Sequence, residues 1–222
     1  MKGFLLSLIC LGLAGPVLAE PSSAEPSSKV AWTLEKLNFV KKGNAENGKI
    51  LTESGKILTA KSCADCHNET SSNPQLDGQL PTYLYKQLVD YKNGNRKDPA
   101  ATMNDWASKL SEQNMADLAA YYGKQAAKPG KGGASDPTGI VSVGDGKRME
   151  PACSSCHGGS GQGEKVDTPR LAGQKAVYLE NTLLDYREGK RANDIYSRMR
   201  LIASKLSDQE IKQLAEYYSK LD

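Results

Sequence analysis

Apolar positions in this chain recur at helical spacing. Leu80, Leu84, Leu88 and Tyr91 fall three or four residues apart, which places them on one face of an α-helix. Pro81 suits the first turn of that helix, and Gly94 suits its end. Met115, Leu118, Ala119 and Tyr122 form a second stripe. Ile211, Leu214, Ala215 and Tyr218 form a third, opened by SDQE at 207–210, the pattern of a capping box. A short tandem heptad, NGKILTESGKILTA at 47–60, predicts a leading helix ahead of Cys63. No alternating run long enough for a strand occurs, so the predicted class is all-α.

The stripes belong to a duplication. QLPTYLYKQLVDYKNGNRK (79–97) matches QKAVYLENTLLDYREGKRA (174–192) at an offset of 95, and MNDWASKLSEQNMADLAAYY (103–122) matches MRLIASKLSDQEIKQLAEYY (199–218) at an offset of 96. Two copies are too few for a solenoid. The expected organisation is a domain at 45–126, a linker at 127–138 rich in Gly, Pro and Ala, and a second domain at 139–222. Each domain is small enough to need a large cofactor to complete its core.

The N-terminus stands apart. MKGFLLSLICLGLAGPVLAE has Lys2, an apolar stretch from Phe4 to Leu13, and small residues up to Ala19, the pattern of a secretory signal peptide over residues 1–19. Residues 20–44 are an N-terminal extension, expected to be partly disordered over EPSSAEPSSK. They include an apolar arm, VAWTLEKLNFV at 30–40, with Trp32, Leu37, Phe39 and Val40. The arm either folds back on its own domain or docks on a partner. The chain holds 29 basic and 26 acidic residues. Removing the signal takes Lys2 and leaves 28 against 26. It also takes Cys10, leaving four of the five cysteines. The expected location is the periplasm, with no membrane span and peripheral association left open.

Those four cysteines, and both histidines of the chain, lie in CADCH (63–67) and CSSCH (153–157). C-x-x-C-H is the attachment motif for c-type haem. Cys63, Cys66, Cys153 and Cys156 are expected to bind two haems covalently as thioethers, with His67 and His157 as iron ligands. A redox dithiol would need a strand–helix–strand setting, and a zinc site would leave the duplicated C-H adjacency without a reason. With no third histidine, methionine is the expected sixth ligand. The candidates are Met103, Met115, Met149 and Met199. Only Met103 and Met199 match across the duplication; Met115 aligns with Ile211 and Met149 with Thr59. Pro74 and Pro169 follow the two motifs. Their carbonyls either hold the second ring nitrogen of each histidine or the prolines only shape the loop.

With its paired motifs, following prolines, and the runs LDGQLPTYLYKQLVDYKNGNRKDP and LAGQKAVYLENTLLDYREGKR, the chain resembles the dihaem cytochrome c4 family over residues 45–222. The resemblance implies two tandem class I cytochrome c folds packed as a pseudo-symmetric pair, His/Met iron in each, periplasmic electron transfer, and Pro74 and Pro169 as the histidine acceptors. It implies a carrier of single electrons rather than an enzyme. The alternative is the electron-accepting subunit of a sulfur-compound dehydrogenase, a flavocytochrome sulfide dehydrogenase or a thiosulfate dehydrogenase. A peroxidase is disfavoured, because it needs an iron with an exchangeable position. Expected partners are redox proteins, a terminal oxidase or such a dehydrogenase among them, and no nucleic acid. Between 187 and 205, Arg187, Lys190, Arg191, Arg198, Arg200 and Lys205 face only Glu188 and Asp194. That excess either steers an acidic partner or is a solvated basic loop.

Overall fold

The computed structural model describes residues 32–53, 62–137, 139–164 and 166–222. The signal peptide, the EPSSAEPSSK segment and the second half of the tandem heptad, 54–60, lie outside the described residues. Among those described there is no strand, only the isolated bridges Asp145–Glu150 and Glu164–Thr168.

The described residues of the first half form six helices: α1 Leu34–Lys41, α2 Ala45–Glu53, α3 Cys63–Cys66, α4 Pro81–Lys92, α5 Thr102–Ser108 and α6 Glu112–Lys124. Pro81 occupies the first turn of α4, and Gly94 follows it at φ 73°. In α6 the capping box expected only in the second copy also occurs, formed by Ser111 and Asn114. Helices α2 and α6 cross with their backbones in near contact. A Cβ on Gly48 would lie 2.1 Å from the Asp117 carbonyl oxygen, and one on Gly43 2.3 Å from that of Ala116. Asp117 secures the crossing by accepting from Asn44 N at 2.7 Å and from the Asn47 side chain. The core gathers Val40, Tyr85, Leu110, Met115, Leu118 and Ala119.

The apolar arm belongs to this core. Thr33 caps α1, with its hydroxyl accepting from Lys36 N. Trp32 and Phe39 pack on Tyr85, with ring centroids 6.4 and 6.1 Å away. Lys36 pairs with Glu112 at 2.9 Å.

The second half contains α7 Ser154–His157, α8 Ala176–Arg187, a 3-10 turn Ile195–Ser197, α9 Arg198–Ala203 and α10 Asp208–Lys220. Ser207 and Glu210 cap α10 as the sequence predicts. Among the described residues no helix corresponds to α2. Ile140 and Val141 enter the core from a turn held by Asp136, whose carboxylate accepts from the backbone N–H groups of Val141 and Ser142. The linker is seated rather than loose. Gly132 N donates to Lys220 O at 3.0 Å, and a Cβ on Gly130 would fall 2.3 Å from the Lys220 carbonyl.

The halves meet through reciprocal contacts. Gln79 bonds the backbone N and O of Arg170, and Gln174 bonds the backbone N and O of Gln75, all at 2.9 Å. Arg96 donates to the Tyr178 hydroxyl at 3.2 Å, and Arg191 to that of Tyr83 at 2.9 Å. Gln79 and Gln174, Tyr83 and Tyr178, and Arg96 and Arg191 are all equivalent at an offset of 95. Each residue therefore meets the neighbour of its own counterpart, as in an isologous interface.

Candidate functional site

Each C-x-x-C-H motif winds into one helical turn. His67 N donates to Cys63 O at 2.9 Å and His157 N to Cys153 O at 3.0 Å. An i, i+4 pair of this kind shares a helix face, so the first cysteine and the histidine of each motif lie on one side. His67 Nδ1 lies 2.9 Å from Pro74 O, and His157 Nδ1 lies 3.0 Å from Pro169 O. A carbonyl only accepts, so each Nδ1 carries the proton and each Nε2 keeps its lone pair. Burial lowers both histidine pKa values and outweighs the proline carbonyls, which act the other way. Both imidazoles are thereby kept neutral and available as ligands.

Burial raises the pKa of Cys63 and pushes that of Cys153 up to about 11. Such thiols are poor redox nucleophiles. Among the described residues, no group of three or more His, Cys, Asp or Glu converges to hold a bare metal ion.

The four methionines separate clearly. Met115 is fully buried filler in α6, and Met149 is 82 % exposed. Met103 and Met199 are both half-buried. Each is the second residue of a short helix, α5 or α9, whose N-cap residue is left-handed: Ala101 and Ser197, both at φ 56°. Neither is glycine, so each position is strained.

Several surroundings suit a porphyrin. A cavity of about 240 Å³ beside His67 is lined by Ala64, Leu76 and Tyr122 among others. Arg191 Nη1 and Asn95 Nδ2 are buried without a protein partner. Buried donors with no acceptor in the chain fit a group that brings its own carboxylates, as a haem does with its propionates. Arg96 and Arg191 each stack on a tyrosine, Tyr91 and Tyr186, at 4.7 Å. The repeat marks these pairs as retained, but sequence alone did not connect them with the site. Nor did it single out Asp98 and Asp194. Asp98 accepts from Thr102 N and Met103 N, and Asp194 accepts from Arg200 N. Their one available signal was their equivalence at an offset of 96.

The basic stretch 187–205 is largely neutralised. Arg187 pairs with Asp208, Lys190 with Glu188, Arg198 with Asp167 and Arg200 with Asp194. Arg191 is buried between the halves. This arrangement matches the solvated basic loop better than a steering patch.

Comparison with known proteins gives a consistent picture. The family model described as Cytochrome c matches residues 145–222, and that described as Cytochrome C oxidase, cbb3-type, subunit III matches residues 51–121. Cytochrome c4 of Thiocapsa roseopersicina is 38% identical over 169 residues, covering 70% of this chain and 84% of that protein. A Stutzerimonas stutzeri (strain A1501) protein named thiosulfate dehydrogenase electron acceptor is 35% identical over 187 residues, covering 79% of this chain and 86% of that one. The crystal structure of reduced recombinant cytochrome c4 from Pseudomonas stutzeri superposes with a TM-score of 0.69 at 32% identity, over 81% of this chain and 100% of that chain.

Proposed function

Since this chain belongs to the cytochrome c4 family, an electron-transfer cytochrome with covalently bound c-type haem, we propose that its two motifs serve as two separate redox sites. Cys63 and Cys66 bind one haem and Cys153 and Cys156 the other. His67 with Met103, and His157 with Met199, would ligate the two irons. The observation that supports this most is the matched placement of the two methionines, each one residue past the start of a helix with a left-handed N-cap. The iron supplies the one-electron couple. The protein's own residues do the rest. Pro74 and Pro169 fix the tautomer and orientation of the histidines, Arg191 and Asn95 hold propionate oxygens, and the apolar cores exclude water.

The proposed location is the periplasm, reached by cleavage after Ala19. Among the described residues no helix is long and apolar enough to cross a membrane. The proposed role is that of a carrier between redox proteins. The name of the Stutzerimonas relative favours a second reading, in which this chain accepts electrons from a sulfur-compound dehydrogenase. With α1 packed on its own half, such a partner does not need the apolar arm for docking.

The axial assignment predicts the ferric spectrum. Replacing Met103 by Ala should remove about half of the weak long-wavelength band given by thioether-to-iron ligation, and replacing Met199 as well should remove the remainder. An undiminished band in the double variant would refute the assignment. Intact mass should equal the chain from Glu20 plus two haems. Untagged purification from the native periplasm separates carrier from subunit by what co-elutes.

A further inference from the structure

The two methionine-bearing loops are held in different ways. In the first half the support is local. The Asp98 carboxylate accepts from Thr102 N at 2.8 Å and Met103 N at 3.3 Å. The Asn104 amide donates to Tyr91 O and Arg96 O at 2.8 Å each and accepts from Asp98 N. All of these bonds stay within the first half; of the groups in them, Arg96 alone reaches across, through its side chain to Tyr178.

In the second half the support comes from across the interface. Lys86, on α4 of the first half and 3 % exposed, donates to Asn193 O at 2.7 Å. The Asn193 side chain, 1 % exposed, donates to Asp90 at 2.8 Å and Gln87 at 3.0 Å, both also on α4. Lys86 and Asp90 form a buried ion pair at 2.7 Å. The next residue, Asp194, accepts from Arg200 N at 2.9 Å and Arg200 Nε at 2.7 Å, and Arg200 directly follows Met199 in the chain. Between these anchors Tyr196 and Ser197 are both left-handed, at φ 56°. Two consecutive non-glycine residues of that kind persist only where the surroundings over-determine them. The repeat does not generate this arrangement. Lys86 corresponds to Asn181, and the loop before Met199 is one residue longer than the loop before Met103, the step by which the offset rises from 95 to 96.

We infer that Lys86, with Asp90 on α4 of the first half, is a positioning residue for the Met199 iron of the second half, and that no converse control acts on the Met103 iron. The inference rests on the axial assignment above. α4 sets how firmly Met199 stays on its iron, so the state of the interface is felt at one haem and not at the other.

The test uses the full-length holoprotein with the long-wavelength ferric band as readout. In a Met103→Ala background the band reports Met199, and in a Met199→Ala background it reports Met103. Lys86→Gln is placed in each, and imidazole is titrated to displace the methionine. The imidazole concentration needed at the Met199 iron should fall about tenfold, the scale of leaving one buried group unsatisfied, while that at the Met103 iron stays unchanged. An equal fall at both irons indicates general loosening and overturns the inference, as does no fall at either. If Lys86→Gln yields no folded protein, Asn193→Ala, which keeps both Lys86 contacts but removes those to Asp90 and Gln87, tests the anchoring by α4 and fails by the same outcomes. A band undiminished in the two methionine backgrounds indicts the axial assignment instead.

Discussion

A single arginine shows how burial and pairing act in opposite directions on neighbouring carboxylates. Arg148 contacts Asp145 at 2.8 Å, Glu210 at 2.8 Å and Glu150 at 3.3 Å. The hydrogen bond from Arg148 lowers the Glu210 pKa to about 2, against its burial. Glu150 is 4 % exposed and neither of its carboxylate oxygens receives a hydrogen bond. Desolvation raises its pKa above the ordinary 4.5, and the charge of Arg148 only partly offsets this. A group whose folded pKa is raised stabilises the fold most below its unfolded pKa, and that advantage is lost as pH rises through the folded value. Glu150→Gln should therefore stabilise the protein at pH 7 by about 1 kcal/mol, the cost of an unsatisfied buried group. The gain should shrink towards zero below about pH 4.5. Urea denaturation at the two pH values measures it, and a gain independent of pH would remove the desolvation account. Sequence gave no hint of this cluster, because Glu150 and Glu210 are 60 positions apart and meet only through the fold.

At the scale of elements, α4, α6 and α10 were legible from stripes at helical spacing, with start or stop signals at α4 and α10, and α8 from its match to α4. The second domain was less so, because its core is completed by Ile140 and Val141 arriving on a turn, with no periodicity to mark them. The arm at 30–40 is intermediate. Its apolar residues were visible, but their destination was a matter of which surface lay nearest. Lys42, Gly43 and Asn44 connect α1 to α2 so tightly that packing on its own half costs little chain entropy. Deleting residues 20–43 should therefore lower stability by at least about 3 kcal/mol, since Trp32, Phe39 and Val40 all leave Tyr85 and its neighbours exposed. The truncated protein should elute in the same oligomeric state as the full chain. Unchanged stability together with loss of a native partner would mean that the arm docks outward.

The interface was the least legible part of the molecule. The repeat identified Gln79 with Gln174 and Arg96 with Arg191 as matched residues, but helical spacing says which residues share a face and not which half that face meets. Each glutamine makes two hydrogen bonds to opposing backbone and is nearly buried. Gln79→Ala and Gln174→Ala should each cost about 2–3 kcal/mol, and the two costs should agree because the contacts are reciprocal. Thermal or urea unfolding of the two single variants decides the matter; markedly unequal losses would show that the twofold relation is geometric but not energetic. The same interface also preserves an order of events. The glutamine, tyrosine and arginine contacts need only one sequence facing itself, so they are available to two identical copies of a single-haem ancestor meeting about a twofold axis. The Lys86–Asn193 contacts need a lysine where the other copy has Asn181 and a loop one residue longer, so they could form only after the joined copies had begun to differ. The symmetric contacts ask nothing of divergence and the asymmetric ones require it, and it is the asymmetric ones that make the halves no longer interchangeable.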